Sequence, residues 1–376
     1  MSFGAHLAPA EQEILYGEPG RRANRTERRA CLSGGWVNDT LVRMPSSRPP
    51  SMADVAAAAG VSHQTVSRVL NGHSYVKEST RERVLLAIDE LGYRRNQAAR
   101  TLATSRSATI GVVATDTAHF GPSSTVLAVE QAARDASLFV SIATVASDDP
   151  GAAIEQLMAQ GVDGIVVVAP QVEVARLLDT TPVRIPIVVV AARTDTPPES
   201  SVTYVAVDQA AGAASVADRL ADLGHRSFAH LAGPLDWFDA IERSRGFAVR
   251  ARSRAAAVRI LETGGWGAHQ GYEAGQELVK DVCAGSVTAV FAANDYLAIG
   301  AMRAFGEAGL RVPEDVSVVG FDDVEGSAFL SPSLATVRQP FERLGAAAVG
   351  AITGVPVRAS FLPDVIERES LAAPRR

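Results

Sequence analysis

Cysteine is nearly absent from this 376-residue chain. Cys31 and Cys283 are far apart, without the paired spacing of a metal site, and read as free thiols of a reducing cytoplasm. No run of about eighteen apolar residues occurs, so no membrane span is expected. The opening MSFGAHLAPAEQEILYGEPGRR lacks a basic stretch followed by an apolar one and is not read as a secretory signal. Also missing are a G-x-G-x-x-G turn after a strand, a G-x-x-x-x-G-K-[ST] loop and a G-x-S-x-G elbow. Neither cysteine has a nucleophile's context, and the adjacent acids Asp322 and Asp323 would face opposite sides of a strand. No catalytic residue, metal or cofactor is therefore expected.

The net charge of −6 is small but unevenly spread. Residues 1–51 carry seven arginines against five acids, residues 52–106 eight basic residues against five acids, and the remainder a net −11. A basic front on an acidic body suits a protein whose nucleic-acid contact is confined to one end. Residues 1–50 cluster Arg21, Arg22, Arg25, Arg28 and Arg29, close on MPSSRPPS and show no apolar period. They are expected to be disordered, with an additional DNA-touching arm as a second reading.

Residues 51–95 read as a DNA-binding domain. Met52, Val55, Ala56 and Ala59 fall at helical spacing, Gly60 suits the turn that follows, and Ser62 stands where an N-cap belongs. The next helix, about Ser62 to Leu70, turns Val66, Val69 and Leu70 inward. That leaves His63, Gln64, Ser67 and Arg68 outward, the pattern of a helix-turn-helix. Gln and Arg can bond adenine and guanine bidentately, whereas Ser62, Thr65, Ser67 and Asn71 suit phosphates. Thr65 could equally cap or pack, and Arg68 could touch phosphate rather than base. A third helix, about Ser79 to Leu91, is expected to be capped by Ser79 or Thr80, with Val84, Leu85, Ile88 and Leu91 as its apolar stripe. Tyr93-Arg94-Arg95 is a basic-aromatic joint, with Tyr93 counted among the candidate DNA contacts. Beyond it, residues 96–107 form a hinge and linker whose Asn96–Leu102 segment is too short to hold alone as a helix.

From Thr109 onward, Val- and Ile-rich strands alternate with helices, which implies parallel sheets covered on both faces. The cycle runs twice, so residues 108–376 are expected to form two α/β lobes. The first takes about 108–207 and 338–355, and the second about 208–337 and 356–376. Ligands of such sheets bind beyond the carboxyl ends of the strands. Those ends offer Thr115, Trp237, Asp239, Arg243, Trp266, Asn294 and Asp322, with Gln339 and Phe341 just past TVRQPF. Carboxylates, amides, an arginine and aromatic faces are what a polyol needs. Plainer roles stand beside these: Asp295 as an N-cap, Trp266 as packing, and Arg243 paired with Asp239.

The run ADVAAAAGVSHQTVSRVLN, followed by LGYRRNQAARTLAT, resembles the head of the lactose-repressor (LacI/GalR) family of transcription regulators. HLAGPL, GGW, AANDYLAIGAMRAFGEAGLRVPEDVSVVGFDD and SPSLATVRQPFERLG resemble that family's effector core. The resemblance implies a helix-turn-helix head on a periplasmic-binding-protein-like core of two parallel-sheet lobes. It implies base contacts from His63, Gln64 and Arg68, and a hinge helix carrying Asn96, Ala99, Arg100 and a minor-groove wedge at Leu102. It also implies ligand contacts from Arg243, Trp266, Asn294, Asp322, Gln339 and Phe341. Ala191 stands where the family's galactoside-responsive pattern has a sugar-binding Asp. Trp237 and Asp239 replace small hydroxyl residues and His119 an aliphatic one, so a different sugar or sugar-like metabolite is expected. The implied protein is a homodimeric repressor on palindromic operator DNA. No leucine-heptad segment follows ERESLAAPRR, which favours a dimer over a tetramer. Family heads begin near the start of their chains, so Met44 or Met52 is a second reading of the initiator.

Overall fold

The computed structural model describes residues 48–94, 106–115, 117–145, 150–168, 171–180, 184–193 and 202–375. The expectations for residues 1–47 and for Asn96 to Leu102 lie outside these. The chain divides into two compact units between Arg94 and Arg95.

The first unit holds α1 (Met52–Ala59), α2 (His63–Leu70) and α3 (Glu78–Leu91). Ser51 and Asp54 form a capping box at the start of α1, and Gly60 closes it with a left-handed φ of 64°. The Ser62 hydroxyl caps α2 by accepting from the Thr65 N–H at 3.1 Å. Helix α3 departs from expectation. It starts one residue early, from Lys77, with no side-chain cap. Its buried positions are Val84 and Ala87, while Leu85 and Leu91 of the expected stripe are exposed. Val55, Ala56, Ala59, Val66, Val69, Val84, Ala87 and Tyr93 form the small core.

The second unit is built on two parallel sheets. The first contains β1 (Thr109–Thr115), β2 (Phe139–Val145), β3 (Gly164–Val168), β4 (Ile187–Val190) and β5 (Thr203–Val207), plus a late strand, β11 (Ser360–Phe361), in the order β11-β5-β4-β3-β1-β2. Helices α4 (Phe120–Asp135) and α11 (Phe341–Ile352) cover one face, and α5 (Pro150–Ala159) and α6 (Val172–Thr180) the other. The second sheet is β6 (Ser227–Ala232), β7 (Ala257–Glu262), β8 (Ala289–Ala292) and β9 (Ser317–Val319), in the order β7-β6-β8-β9. Here α7 (Gln209–Asp222) and α8 (Phe238–Ser253) pack on one face, and α9 (Ala268–Cys283) and α10 (Asp295–Glu307) on the other.

The chain passes from the first sheet to the second between β5 and α7. It returns between β10 (Thr336–Arg338) and α11 and passes over again after β11, where β12 (Asp364–Ile366) pairs with β10. The expected lobe boundary at 356 therefore falls too early. Ser360 and Phe361 pair with Ala206 and Val207 of the first sheet, because two residues of extended chain suffice to close the open edge of β5. Such a pairing is too short to show as a pattern in the sequence.

Helices α9 and α10 approach through glycine: a methyl group on Gly300 would lie 1.9 Å from the Ala268 carbonyl oxygen and 2.5 Å from the Tyr272 nitrogen. Gly300→Ala should cost about 1–3 kcal/mol, read as a lower urea midpoint at unchanged slope. Gly306→Ala, with open space around it, should be neutral or slightly stabilising.

Candidate ligand cleft and nucleic-acid interface

The carboxyl ends of the two sheets bound a cavity with about 640 Å³ of atom-free space out to its mouth. Nine of the ten expected ligand residues line it: His119, Trp237, Asp239, Arg243, Trp266, Asn294, Asp322, Gln339 and Phe341. Thr115 does not. It is buried at the end of β1, with its hydroxyl unpartnered among the described residues. The ends of β3, β4 and β5, the loops after strands of the second sheet and the first turns of several helices supply the lining, because parallel strands all point their carboxyl ends one way.

The polar floor is one connected network. Arg243, buried on α8, donates from Nε to Gln209 Oε1 at 2.9 Å and from Nη1 to the Ala293 carbonyl; its Nη2 lies 3.5 Å from Asp322 Oδ1. The Gln209 amide in turn donates to Gln339 Oε1 at 2.9 Å and to Asp239 Oδ2 at 3.2 Å. Gln339 donates to Asp322 Oδ1 at 2.7 Å. Arg243 thus pairs with Asp322 rather than Asp239, and Gln209, which the sequence reading missed, is the hub. A lone Gln after a strand-ending Asp carries no recognisable signal. Asp322 holds φ at 104°, a conformation an L-residue adopts at a cost. The turn is fixed by its N–H to the Val337 carbonyl at 2.8 Å.

The aromatic walls pack against one another. Trp266 lies flat on Gly233, where an added Cβ would come within 2.5 Å of the indole. It meets Trp237 edge-on at 5.7 Å, and Trp237 meets His119 edge-on at 6.1 Å. Phe120 and Phe341 form a further edge-to-face pair at 5.9 Å. Asn294 is the N-cap of α10, accepting from Leu297 N at 2.8 Å, and its amide donates to the Trp266 carbonyl at 3.0 Å. The cap expected of Asp295 is therefore made by its neighbour. Asp295 instead turns inward, accepting from Val324 N–H, Ser327 and Thr336. Asp323 faces away from the cavity and pairs with Arg338 and Arg368.

Burial pushes the Asp322 carboxyl up to about 6; Arg243 and the Gln339 amide oppose the shift and Asp239 adds to it. Burial likewise raises Asp239 against the pull of Arg243. It takes Asp295 to about 7, opposed by the Thr336 and Ser327 hydroxyls. Between about pH 4 and 7 the folded chain holds these protons more tightly than the unfolded one, so their ionisation lowers stability as pH rises. Asp295→Asn forfeits an acceptor that Val324 N–H, Ser327 and Thr336 now use, so it should be the less stable protein near pH 4, and its deficit relative to wild type should shrink as pH rises to 7.5. Paired thermal melts across this range check the sign.

On the head, His63, Gln64 and Arg68 are exposed along α2. Ser62 and Thr65 pair their hydroxyls at 2.9 Å. Asn71 ends α2 and reaches Ser67 at 3.4 Å. Tyr93, grouped by sequence with the DNA contacts, is packed in the head's core and only 8% exposed. Its ring supports the fold, because a large apolar side chain at the end of α3 fills the gap the three short helices leave. Tyr75, 97% exposed, and Lys77 share a surface concavity with Thr65 and Arg68. The sequence reading gave neither a role. Asn96, Ala99, Arg100 and Leu102 lie outside the described residues. Among the described residues, no group of three or more His, Cys, Asp or Glu could hold a metal ion, and no helix is long and apolar enough to cross a membrane.

Residues 51–96 match the model for bacterial regulatory proteins of the lacI family, and residues 217–371 that for a periplasmic binding protein-like domain. The chain is 35% identical over 339 residues to the lactose operon repressor of Escherichia coli K12, covering 87% of this chain and 92% of that protein. This chain belongs to the LacI family. It is 36% identical over 346 residues to the regulator CelR of Thermobifida fusca, 87% of this chain and all of that one. The lac repressor dimer bound to operator and the anti-inducer ONPF matches with a TM-score of 0.75 at 32% identity, covering 87% of this chain and 100% of that one. The complex of CelR with cellobiose matches at 0.60 and 32%, covering 86% and 100%. The LacI-family chain described here is accordingly a DNA-binding transcriptional regulator with an effector core.

Proposed function

We propose that this LacI-family chain is a cytoplasmic, homodimeric repressor of sugar-metabolism genes, without catalytic activity, whose hold on a near-palindromic operator changes when a sugar or related metabolite enters the cleft. The observation that carries this reading is the buried network of Arg243, Asp322, Gln209, Gln339 and Asp239 under two edge-packed tryptophans. Paired polar groups meet vicinal hydroxyls, and an indole face meets the apolar face of a ring. Asp239 belongs to α8 of the second lobe, yet its Oδ1 accepts from the Ala192 N–H of the first at 3.3 Å. Val172 N–H likewise donates to the Asp236 carbonyl across the lobes at 2.9 Å. A ligand that replaces such contacts has a different affinity for each lobe arrangement, which is what allows it to shift the balance between them.

On the DNA side, the proposal assigns base contacts to His63, Gln64 and Arg68 and phosphate contacts to Ser62, Thr65, Ser67 and Asn71, with Asn96, Ala99, Arg100 and Leu102 serving the hinge. A symmetric dimer requires matched half-sites. The favoured effector is not a galactoside, since the first lobe presents Ala191 and the carboxylate comes from Asp239.

Two substitutions test the two halves separately by titrating labelled DNA. Gln64→Ala should weaken operator binding roughly tenfold or more while leaving binding to unrelated DNA unchanged; equal losses on both would remove its base-reading role. Asp322→Asn, checked by its melt to be folded, should abolish the effector response while operator binding persists, and a surviving response would displace the effector from this cleft.

A further inference from the structure

We propose, resting on the sugar-effector reading above, that the cleft admits only saccharides without negative charge. Neutral rings, or rings carrying a protonated amine, enter; phosphate esters and sugar acids are turned away. Among the described residues, the titratable groups facing the cavity are Asp239, Asp322, Arg243 and His119. Two carboxylates thus stand against one permanent cation. That cation is already committed. Each nitrogen of Arg243 has a protein acceptor: Gln209 Oε1, the Ala293 carbonyl and, at 3.5 Å, Asp322 Oδ1. The Phe321 ring lies 3.8 Å from its guanidinium carbon. Arginine recognises phosphate through a free fork of parallel N–H groups, and a phosphate here would have to break existing bonds to find one. The chain's two lysines are no substitute, since Lys77 lies in the head and Lys280 in the last turn of α9.

Helix N-termini are the other source of anion donors. Those of α7 and α10 are capped by the side chains of Asp208 and Asn294, and α8 carries Asp239 in its first turn. Helices α4 and α11 begin at the cavity without a side-chain cap, and α11 carries Glu342 in its first turn. Each N-terminus is worth about half a unit charge, together less than the two carboxylates. Both acids belong to the cavity's polar floor, Asp322 buried and Asp239 half-buried, and an incoming anion would add a further like charge to the pair. A hydroxyl adds none: it donates to a carboxylate oxygen and accepts from an amide. An ammonium group does better still.

The test is calorimetric titration of the full-length protein with matched probes. Glucose and mannose are each compared with their 2-amino and 6-phosphate forms, and cellobiose and maltose each with its phosphate ester. In the series that binds, the phosphate ester should be weaker than the neutral sugar by roughly tenfold or more, and the amino form at least as tight. The neutral-to-phosphate ratio should narrow in Asp239→Asn, or in Asp322→Asn if the first variant does not fold. A phosphate ester that binds as well as or better than its neutral sugar overturns the proposal while leaving the sugar reading intact. An unchanged ratio in the Asn variant overturns its electrostatic cause. Binding by no sugar in any form removes the sugar reading and the proposal with it.

Discussion

A guanidinium buried between two lobes must be neutralised there, and the rest of the core depends on how that is done. Arginine stays charged at any accessible pH, and a buried charge is tolerated only when its partners are in place. Arg243 finds Asp322 at the end of β9, Gln209 at the start of α7 and the backbone of Ala293 after β8. Gln209 follows the first crossing between lobes and Gln339 the second, and the two amides bond each other at 2.9 Å. Compensation of one charge is thereby tied to the relative placement of both crossings. A ligand that takes up part of this network changes what holds the lobes in register.

The two units divide the labour by the kind of surface they expose. The head's core is made of small and β-branched residues completed by Tyr93, and it turns His63, Gln64 and Arg68 outward. Its binding chemistry is therefore on the surface, where phosphate attraction and base reading operate. The core unit does the reverse: its carboxylates, amides and tryptophans are buried around a cavity, where hydrogen bonds are least diluted by water.

Much of this was legible in the sequence, for physical reasons that can be named. Short runs of β-branched residues such as GIVVV and IVVV, alternating with helical patterns, read as strands buried on both faces, so the parallel sheets and the residues at their carboxyl ends followed. Asn294 and Asp322 of the cleft lining follow closely on β8 and β9, whereas Asp239 and Arg243 sit on α8 after β6. For Arg243, Asn294 and Asp322 the resemblance to the family's effector core pointed the same way. What was missed depends on tertiary context. Gln209 is recognisable only once both crossings are side by side. Tyr93 looked like part of a basic, DNA-facing joint because its neighbours are arginines, but a ring of that size completes a small core. Asp295 looked like a cap because it opens a helix, yet Asn294 takes that role and frees Asp295 to accept from Val324, Ser327 and, on β10, Thr336. Ala191 read as a missing carboxylate; Asp239, against Ala192 from the other lobe, brings one to the same strand end.

The most direct measurement of the central claim is footprinting of the purified protein on the DNA upstream of its own gene, at low salt where phosphate contacts are strongest, with and without a panel of neutral sugars. The account predicts a protected near-palindrome whose occupancy shifts with one sugar. Protection that no sugar alters would contradict the sugar-gated cleft, and the absence of any protected site would contradict the operator-binding head.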